Sequence, residues 1–320
     1  MRLIFNDIIN YYLGFIGEMN MSEAMPVVIN REKCITCFEC AWICPTSTLY
    51  KKGETLQVAK DAAVRCIRCA HCLAVCPEDA VTITCYTDET EIAPIPDIRL
   101  DPETILNFMR SRRSTRLFKP DPLERSDLDL LINAARYAPS GHNDQTSAFT
   151  VITGKRVKEI KATLIQEIAP VLKALPEDPV AAAERLTKFL PKTSTAMISS
   201  MLGLMKELVQ VMETGGRDCL FWDAPVLIII SAKKESSGFP AALENACLSA
   251  AYLMLMAEAM DLGTCSMGIL IYSLGMSRKV RKLLELPKDN RALYALAIGK
   301  KATHFRKFVP RNKPKINYVN

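Results

Sequence analysis

Cys34-Ile-Thr-Cys37-Phe-Glu-Cys40-Ala-Trp-Ile-Cys44-Pro45 returns 32 residues later as Cys66-Ile-Arg-Cys69-Ala-His-Cys72-Leu-Ala-Val-Cys76-Pro77. Both copies have the spacing Cys-x2-Cys-x2-Cys-x3-Cys-Pro, and the second leads into the β-like stretch Ala80–Thr84. Eight of the twelve cysteines therefore sit in two tight groups. Scattered cysteines would suggest a disulfide framework. Grouped ones point to metal chemistry in a reducing compartment, so a cytoplasmic location is expected. Structural zinc is the alternative to weigh. Zinc sites generally take two separated cysteine pairs, with four ligands in all. Here four cysteines fall within eleven residues, twice, and each group ends on a proline.

Over residues 26–88 this pattern resembles a two-cluster bacterial ferredoxin, which implies two [4Fe–4S] clusters. The spacing suits that use: three cysteines on a tight loop wrap three corners of one cube, and the fourth starts a short helix that points away. The fourth cysteine then serves the other cluster. One cluster would take Cys34, Cys37, Cys40 and Cys76, and the other Cys66, Cys69, Cys72 and Cys44. Cys85 and Cys219 carry no assignable role. Cys247, in an apolar helix, is expected to pack in the core. His71, inside the second run, is expected on the surface.

Composition agrees with a two-domain protein. At 320 residues the chain suits two unequal domains, and 49% apolar residues allow a sizeable core without staples. The formal charge of +6 carries no message about nucleic acid. Eight thiolates against two cores of about +2 each leave about −4. A bound phosphate subtracts about two more, so the loaded protein is close to neutral. The apolar run Leu3–Gly17 is interrupted by Asn6, Asp7 and Asn10 and lacks a cleavage site. It is compatible with a surface helix, a dimer arm, or a stretch upstream of a start at Met19, Met21 or Met25. No uninterrupted apolar stretch is long enough to span a membrane. The expected organisation is an N-terminal extension over 1–25, a ferredoxin domain over 26–92 and a second domain over 93–320, with an α+β fold as a whole.

A proline-rich linker holding Pro94, Pro96 and Pro102 precedes the second domain. Asp101-Pro102 opens a helix as cap and first residue. Ser126 can cap another, with Leu128, Leu131, Ile132 and Ala135 on one face. Ala148–Thr153 reads as a strand, residues 156–213 as helices ending at Gly215-Gly216, and Val226–Ser231 as a buried strand. An almost wholly apolar helix over Pro240–Asp261 stops at Gly263, and Ala292–Ile298 is another buried strand. Helices flanking a central sheet follow from this order.

Four segments here carry chemistry. Arg110-Ser-Arg112-Arg113-Ser114-Thr115-Arg116 offers guanidinium forks and a hydroxyl suited to phosphate. The loop Ala138-Pro139-Ser140-Gly141-His142-Asn143-Asp144-Gln145 offers amides to a polar heterocycle. Asp261-Leu262-Gly263-Thr264-Cys265-Ser266-Met267-Gly268 has glycines that permit close backbone approach. Lys300-Lys301 and then Pro310-Arg311-Asn312-Lys313 form a second set of phosphate-capable cations.

In this order the four segments resemble the FMN-dependent nitroreductase family, over about Thr104 to Lys315. The resemblance implies an α/β sandwich with an antiparallel-rich sheet, an intertwined homodimer, and FMN at the subunit interface. It implies that Arg112, Arg113, Ser114 and Arg116, joined by Arg311 and Lys313, hold the ribityl phosphate. Pro139, Ser140, Asn143 and Gln145 would line the isoalloxazine, with Met267 and Gly268 near its N5. Two departures stand out. Gln145-Thr146-Ser147 replaces the family's usual Gln-Pro-Trp and so lacks an aromatic wall. Met197, Met201, Met205, Leu208 and Met212 form a helical stripe that suits dimer core better than a substrate lid.

The expected function is an iron–sulfur flavoprotein oxidoreductase. Electrons pass through two [4Fe–4S] clusters to FMN, which reduces a small organic acceptor such as a nitroaromatic, a quinone or an activated alkene. A low-potential carrier such as a ferredoxin is the expected donor. The alternatives are reverse flow, with electrons exported through the clusters, and a non-catalytic redox sensor or carrier. No side chain stands out as an obligatory acid or base.

Overall fold

The computed structural model describes residues 25–86, 91–187, 195–233, 241–274 and 277–319, so residues 1–24 of the expected extension lie outside it. The chain divides into two units. Of the described residues, the first unit holds those up to Ile98 together with Ser140–Asp144; the second holds the rest.

In the first unit β1 (Val27–Ile29), α1 (Glu39–Trp42), β2 (Leu49–Lys52), β3 (Thr55–Val58), α2 (Ala62–Arg65), α3 (His71–Ala74) and β4 (Val81–Ile83) follow in order. β1 and β4 pair antiparallel, Val27 opposite Ile83, so the unit's ends close on each other. β2 and β3 form a hairpin, Leu49 opposite Val58, turned at Gly53 with φ +57°. The core is small: Val27, Phe38, Cys40, Leu49, Leu56, Val81 and Ile83. Both cysteine runs bend at equivalent left-handed residues. Thr36 matches Arg68, Phe38 matches Ala70, and Ser47 matches Asp79. The bends at Phe38 and Ala70 start α1 and α3 one residue before the third cysteine of each run. The short helix thus carries Cys40 or Cys72 and ends before the fourth cysteine, where the sequence reading had started it.

The second unit opens with α4 (Pro102–Ser111), capped by the Asp101 carboxylate, which accepts from the Thr104 amide at 2.8 Å. α5 (Arg125–Arg136) buries Leu128, Leu131 and Ala135 but starts ahead of Ser126, which is therefore not its cap. β5 (Ala148–Thr153), α6 (Lys155–Lys173), α7 (Pro179–Thr187), α8 (Thr195–Glu213) and β6 (Val226–Lys233) come next. α9 (Ala242–Ala259), β7 (Leu262–Ser266), α10 (Gly268–Ser273), α11 (Arg278–Leu283) and β8 (Asn290–Lys300) complete it.

The four strands form one antiparallel sheet in the order β5-β6-β8-β7. Successive β6 side chains serve opposite faces. Leu227 and Ile229 join Ile160, Leu164, Ile168, Leu172 and Leu202 of α6 and α8. Val226, Ile228 and Ile230 join Leu131 of α5 and Ala246, Ala250 and Leu253 of α9. A sheet covered on both faces reads in sequence as an unbroken apolar run, as β6 does. α9 is apolar all round, so its buried face could not be read from sequence. It buries Ala246, Ala250, Leu253 and Ala257, and leaves Cys247 exposed, contrary to the expected core position. His71 is exposed, as expected. On α8 the buried positions are Ile198, Leu202 and Val209, with Met205 and Met212 at their margin; the side chains of Met197 and Met201 lie outside the description.

β7 was not foreseen as a strand. Its Gly263 pairs with Gly299 of β8, and both glycines make room for the segment Ser114–Phe118. A Cβ on Gly263 would stand 2.6 Å from Thr115 Oγ1, so this close approach serves a protein side chain and not a ligand. A Cβ on Gly299 would meet Pro225 Cδ at 2.6 Å and Phe118 Cδ1 at 3.1 Å. The proline ring cannot yield. Gly299→Ala should therefore destabilise the protein by about 1–3 kcal/mol, the usual cost of overpacking. Chemical denaturation would show this as a lower midpoint at an unchanged slope.

Candidate functional site

Two small cavities lie in the first unit, and cysteines line each. One is bordered by Cys34, Cys37, Cys40 and Cys76, with Ile35, Phe38 and Leu56. The other is bordered by Cys44, Cys66, Cys69 and Cys72, with Val27, Leu49 and Ile83. Each run thus sends its fourth cysteine to the other run's cavity. All eight are free thiols. Among the described residues no three His, Cys, Asp or Glu side chains converge on a point where one metal ion could sit.

Backbone amides aim at the sulfurs. Thr48 N donates to Cys44 Sγ at 3.2 Å, Ala80 N to Cys76 Sγ at 3.2 Å, and Arg68 N to Cys66 Sγ at 3.4 Å. Burial pushes the Cys40 thiol up to about 11, and Cys34, Cys37 and Cys76 add to it. Burial likewise pushes Cys72 up to about 12, with Cys66 next in weight. Burial would raise Cys44 as well, but hydrogen bonds from Leu49, Thr46 and Thr48 outweigh it and hold that thiol below its ordinary range. Thiols crowded in a dry space oppose one another's ionisation. A cationic core would reverse that sign, so the donor set suits a metal–sulfur cluster.

In the second unit, main-chain bonds bring two of the predicted segments together. Thr115 N donates to Thr264 O at 2.8 Å, Lys119 N to Lys300 O at 2.9 Å and Ala302 N to Leu117 O at 3.0 Å. The arginine segment therefore runs beside β7. Burial raises the Cys265 thiol, while Arg116, Ser114, Trp222 and Arg112 act against it. Those four residues consequently lie near Cys265. Trp222, which sequence reasoning missed, is stacked by Arg116 at 5.7 Å and Arg217 at 5.2 Å. Arg112 reaches Met254 Sδ at 3.9 Å. Among the described residues no carboxylate pairs with Arg112, Arg113 or Arg116. Three guanidinium groups without an anion suit a phosphate.

Other predicted residues are placed differently. Lys301 is a nearly buried structural cation. It pairs with Glu258 at 3.1 Å and Asp261 at 3.3 Å, while Ser111 Oγ donates to Glu258 at 3.2 Å. Arg311 and Lys313 lie on an exposed tail whose Phe308 stacks on Arg110 at 4.4 Å. The Met267 side chain is buried in the core, and its amide donates to Ala295 O at 2.8 Å. Gly268 is exposed at the start of α10, and its missing Cβ would find no atom closer than Tyr272 Cε2 at 3.7 Å. Pro139 and Gln145 are exposed in the second unit, while Ser140 and Asn143 are half-buried in the first. Gly141–Asn143 forms a tight turn with left-handed His142 and Asn143. Asn143 Nδ2 donates to Arg68 O at 2.9 Å.

A large cavity of about 1300 Å³ opens beside β5 and includes none of the predicted site residues. Its polar lining includes Lys161, bound to Asp218 at 3.1 Å and Asp223 at 2.9 Å. Burial works against the Lys161 charge, but hydrogen bonds to Asp223 and Asp218 hold it above its ordinary range. Asp218 also accepts from the amides of Leu220, Phe221 and Asp223, so this network is satisfied within itself.

The family described as Nitroreductase family matches residues 109–300 of the chain. A solved nitroreductase with bound FMN from Desulfitobacterium hafniense DCB-2 is 22% identical, covering 69% of this chain and 100% of its own, with a TM-score of 0.50. One from Bacteroides fragilis NCTC 9343, also with bound FMN, is 19% identical over 68% of this chain and 98% of its own, with a TM-score of 0.49. The first of these likenesses shows the fold of the second unit. No curated protein matches the chain.

Proposed function

The chain belongs to the nitroreductase family and is an oxidoreductase of that family; from this premise we propose that it binds FMN and feeds it electrons through two [4Fe–4S] clusters held by the first unit. The observation that carries this reading is the pair of cavities, each lined by three cysteines of one run and the fourth of the other. Sulfurs that ring a space, with backbone amides donating to three of them, are what a cube of iron and sulfide needs. Bound FMN supplies the exchange between one-electron and two-electron chemistry.

The protein's share is to bind and orient. Arg112, Arg113, Ser114 and Arg116, with Arg311 and Lys313, hold the phosphate. Pro139, Ser140, Asn143 and Gln145 line the ring, and Gly268 offers backbone at its edge, beside Met267. The acceptor is a small organic molecule: a nitroaromatic, a quinone or an activated alkene. The uncovered apolar side of α9, with Leu243, Leu248 and Tyr252 exposed, supports a homodimer. Among the described residues no helix is long and apolar enough to cross a membrane.

Stopped-flow reduction under anoxia tests the direction of traffic. Reduced ferredoxin or a low-potential dye should reduce the flavin quickly in the parent and slowly in Cys69→Ala, whereas NADH and NADPH should be slow with both. One chain holds donor and acceptor at high effective concentration, which is the advantage of the fusion. Fast NADPH reduction that survives loss of the iron would instead make the first unit an exit path or a sensor.

A further inference from the structure

The two cysteine runs repeat in sequence and in backbone bends, so any difference between them asks for a separate cause. One such difference lies at Arg68, between Cys66 and Cys69. Its carbonyl accepts from Asn143 Nδ2 at 2.9 Å and from Tyr86 Oη at 2.7 Å. Asn143 Nδ2 also reaches Tyr86 Oη at 3.3 Å and the Ile67 carbonyl at 3.5 Å. The matching place in the first run is Thr36, and among the described residues no side chain donates to the carbonyl of Ile35 or Thr36. All these groups, Asn143 included, belong to the first unit.

Two consequences follow for the second cysteine set. The Ile67 carbonyl and the Arg68 N–H belong to one peptide group, and that N–H donates to Cys66 Sγ at 3.4 Å. Donation to the oxygen end of a peptide polarises it and strengthens the bond made by its N–H. Asn143 thereby acts on the Cys66 sulfur as well as on the shape of the loop.

We propose that Asn143, supported by Tyr86, is a positioning residue for the second cysteine set and not for the first; the proposal rests on the function proposed above. Partners that orient metal ligands are worth about ten- to a hundredfold in metal retention. The repeat gives a built-in control, because only one of two near-identical sites carries the clamp.

The test uses the full chain with its iron, under anoxia, with Tyr86→Phe and Asn143→Leu as separate variants. An iron chelator should remove about half of the iron roughly tenfold faster from each variant than from the parent. The electron paramagnetic resonance signal that changes should be the one lost in Cys69→Ser, with the signal of the Cys34–Cys37–Cys40 set unaltered. Tyr86→Phe should keep its full flavin, since Tyr86 is assigned no flavin contact, and it tests the clamp even where Asn143→Leu folds poorly. Parent-like iron release and signals in both variants would overturn the proposal, as would a change confined to the first set. Loss of flavin from Asn143→Leu with normal iron release would do the same, leaving that residue a flavin contact only. A parent that binds no iron would overturn the underlying function and this proposal together.

Discussion

Cys44→Ser should strip the same half of the iron as Cys69→Ser, although Cys44 stands in the other run. The parent should carry about eight iron and eight acid-labile sulfide per chain, and each of these variants about four. The reason is the crossing of the runs: Cys44 lines a cavity with Cys66, Cys69 and Cys72, and Cys76 lines one with Cys34, Cys37 and Cys40. Serine keeps the shape of cysteine but does not ionise near neutral pH, so a soft iron centre loses its ligand. Combining Cys37→Ser with Cys69→Ser should leave almost no iron. Iron and sulfide analysis of two further pairs decides the matter: Cys44→Ser with Cys69→Ser should keep about four iron, and Cys44→Ser with Cys37→Ser almost none. The reverse pattern would mean that each run closes on itself, and zinc in place of iron would remove the basis of the proposed function.

Removing Arg112 and Arg311 together should weaken FMN binding by about a hundred- to ten-thousandfold. Hydrogen bonds to charged groups are worth about 1.5–3 kcal/mol each, and two of them are lost. Arg112 is already set beside β7 in a group of guanidiniums that no carboxylate among the described residues pairs with, so ordering it costs little. Arg311 arrives on an exposed tail and should count for less when removed alone. Because these cations suit a terminal phosphate, FAD should bind far more weakly than FMN. Titration of the flavin-free protein, followed by flavin fluorescence, measures both effects. Parent-like affinity in the double variant would place the phosphate elsewhere.

The parts legible in sequence are those in which one local rule settles the outcome. Ala148–Thr153 matches its strand residue for residue, and the buried run at Val226 lies within β6, which is apolar throughout because both its faces are covered. Asp101 caps its helix through its own carboxylate. The grouping of eight cysteines was legible because their spacing is fixed by the chain near them. Distant packing was not legible. Gly263 looked like room for a ligand and proved to be room for Thr115. Lys301 looked like a phosphate cation and proved to be held by Glu258, 43 residues away. Trp222 reached the arginine group from a segment with no motif, through a left-handed bend at φ 59°. Cys247 was expected in the core and proved exposed, since a helix apolar on every side gives no sign of which side is covered.

The left-handed residues of the two cysteine runs bear on how such a protein is made. Thr36, Phe38, Ser47, Arg68, Ala70 and Asp79 all adopt a backbone that costs a non-glycine residue about 1–3 kcal/mol. Summed, that is comparable to the whole stability of a typical domain. Against it the first unit sets a core of seven buried side chains, whereas the second has a sheet packed on both sides. With the proposed clusters, the two halves would mature on different schedules. The second can fold as it leaves the ribosome, while under the proposed function the first would wait for delivery of iron and sulfide before its loops can hold their bends. If the first unit holds the two proposed clusters, a cell short of iron would accumulate a chain whose second unit is finished and whose first is not, and protease sensitivity would fall first on residues 34–76.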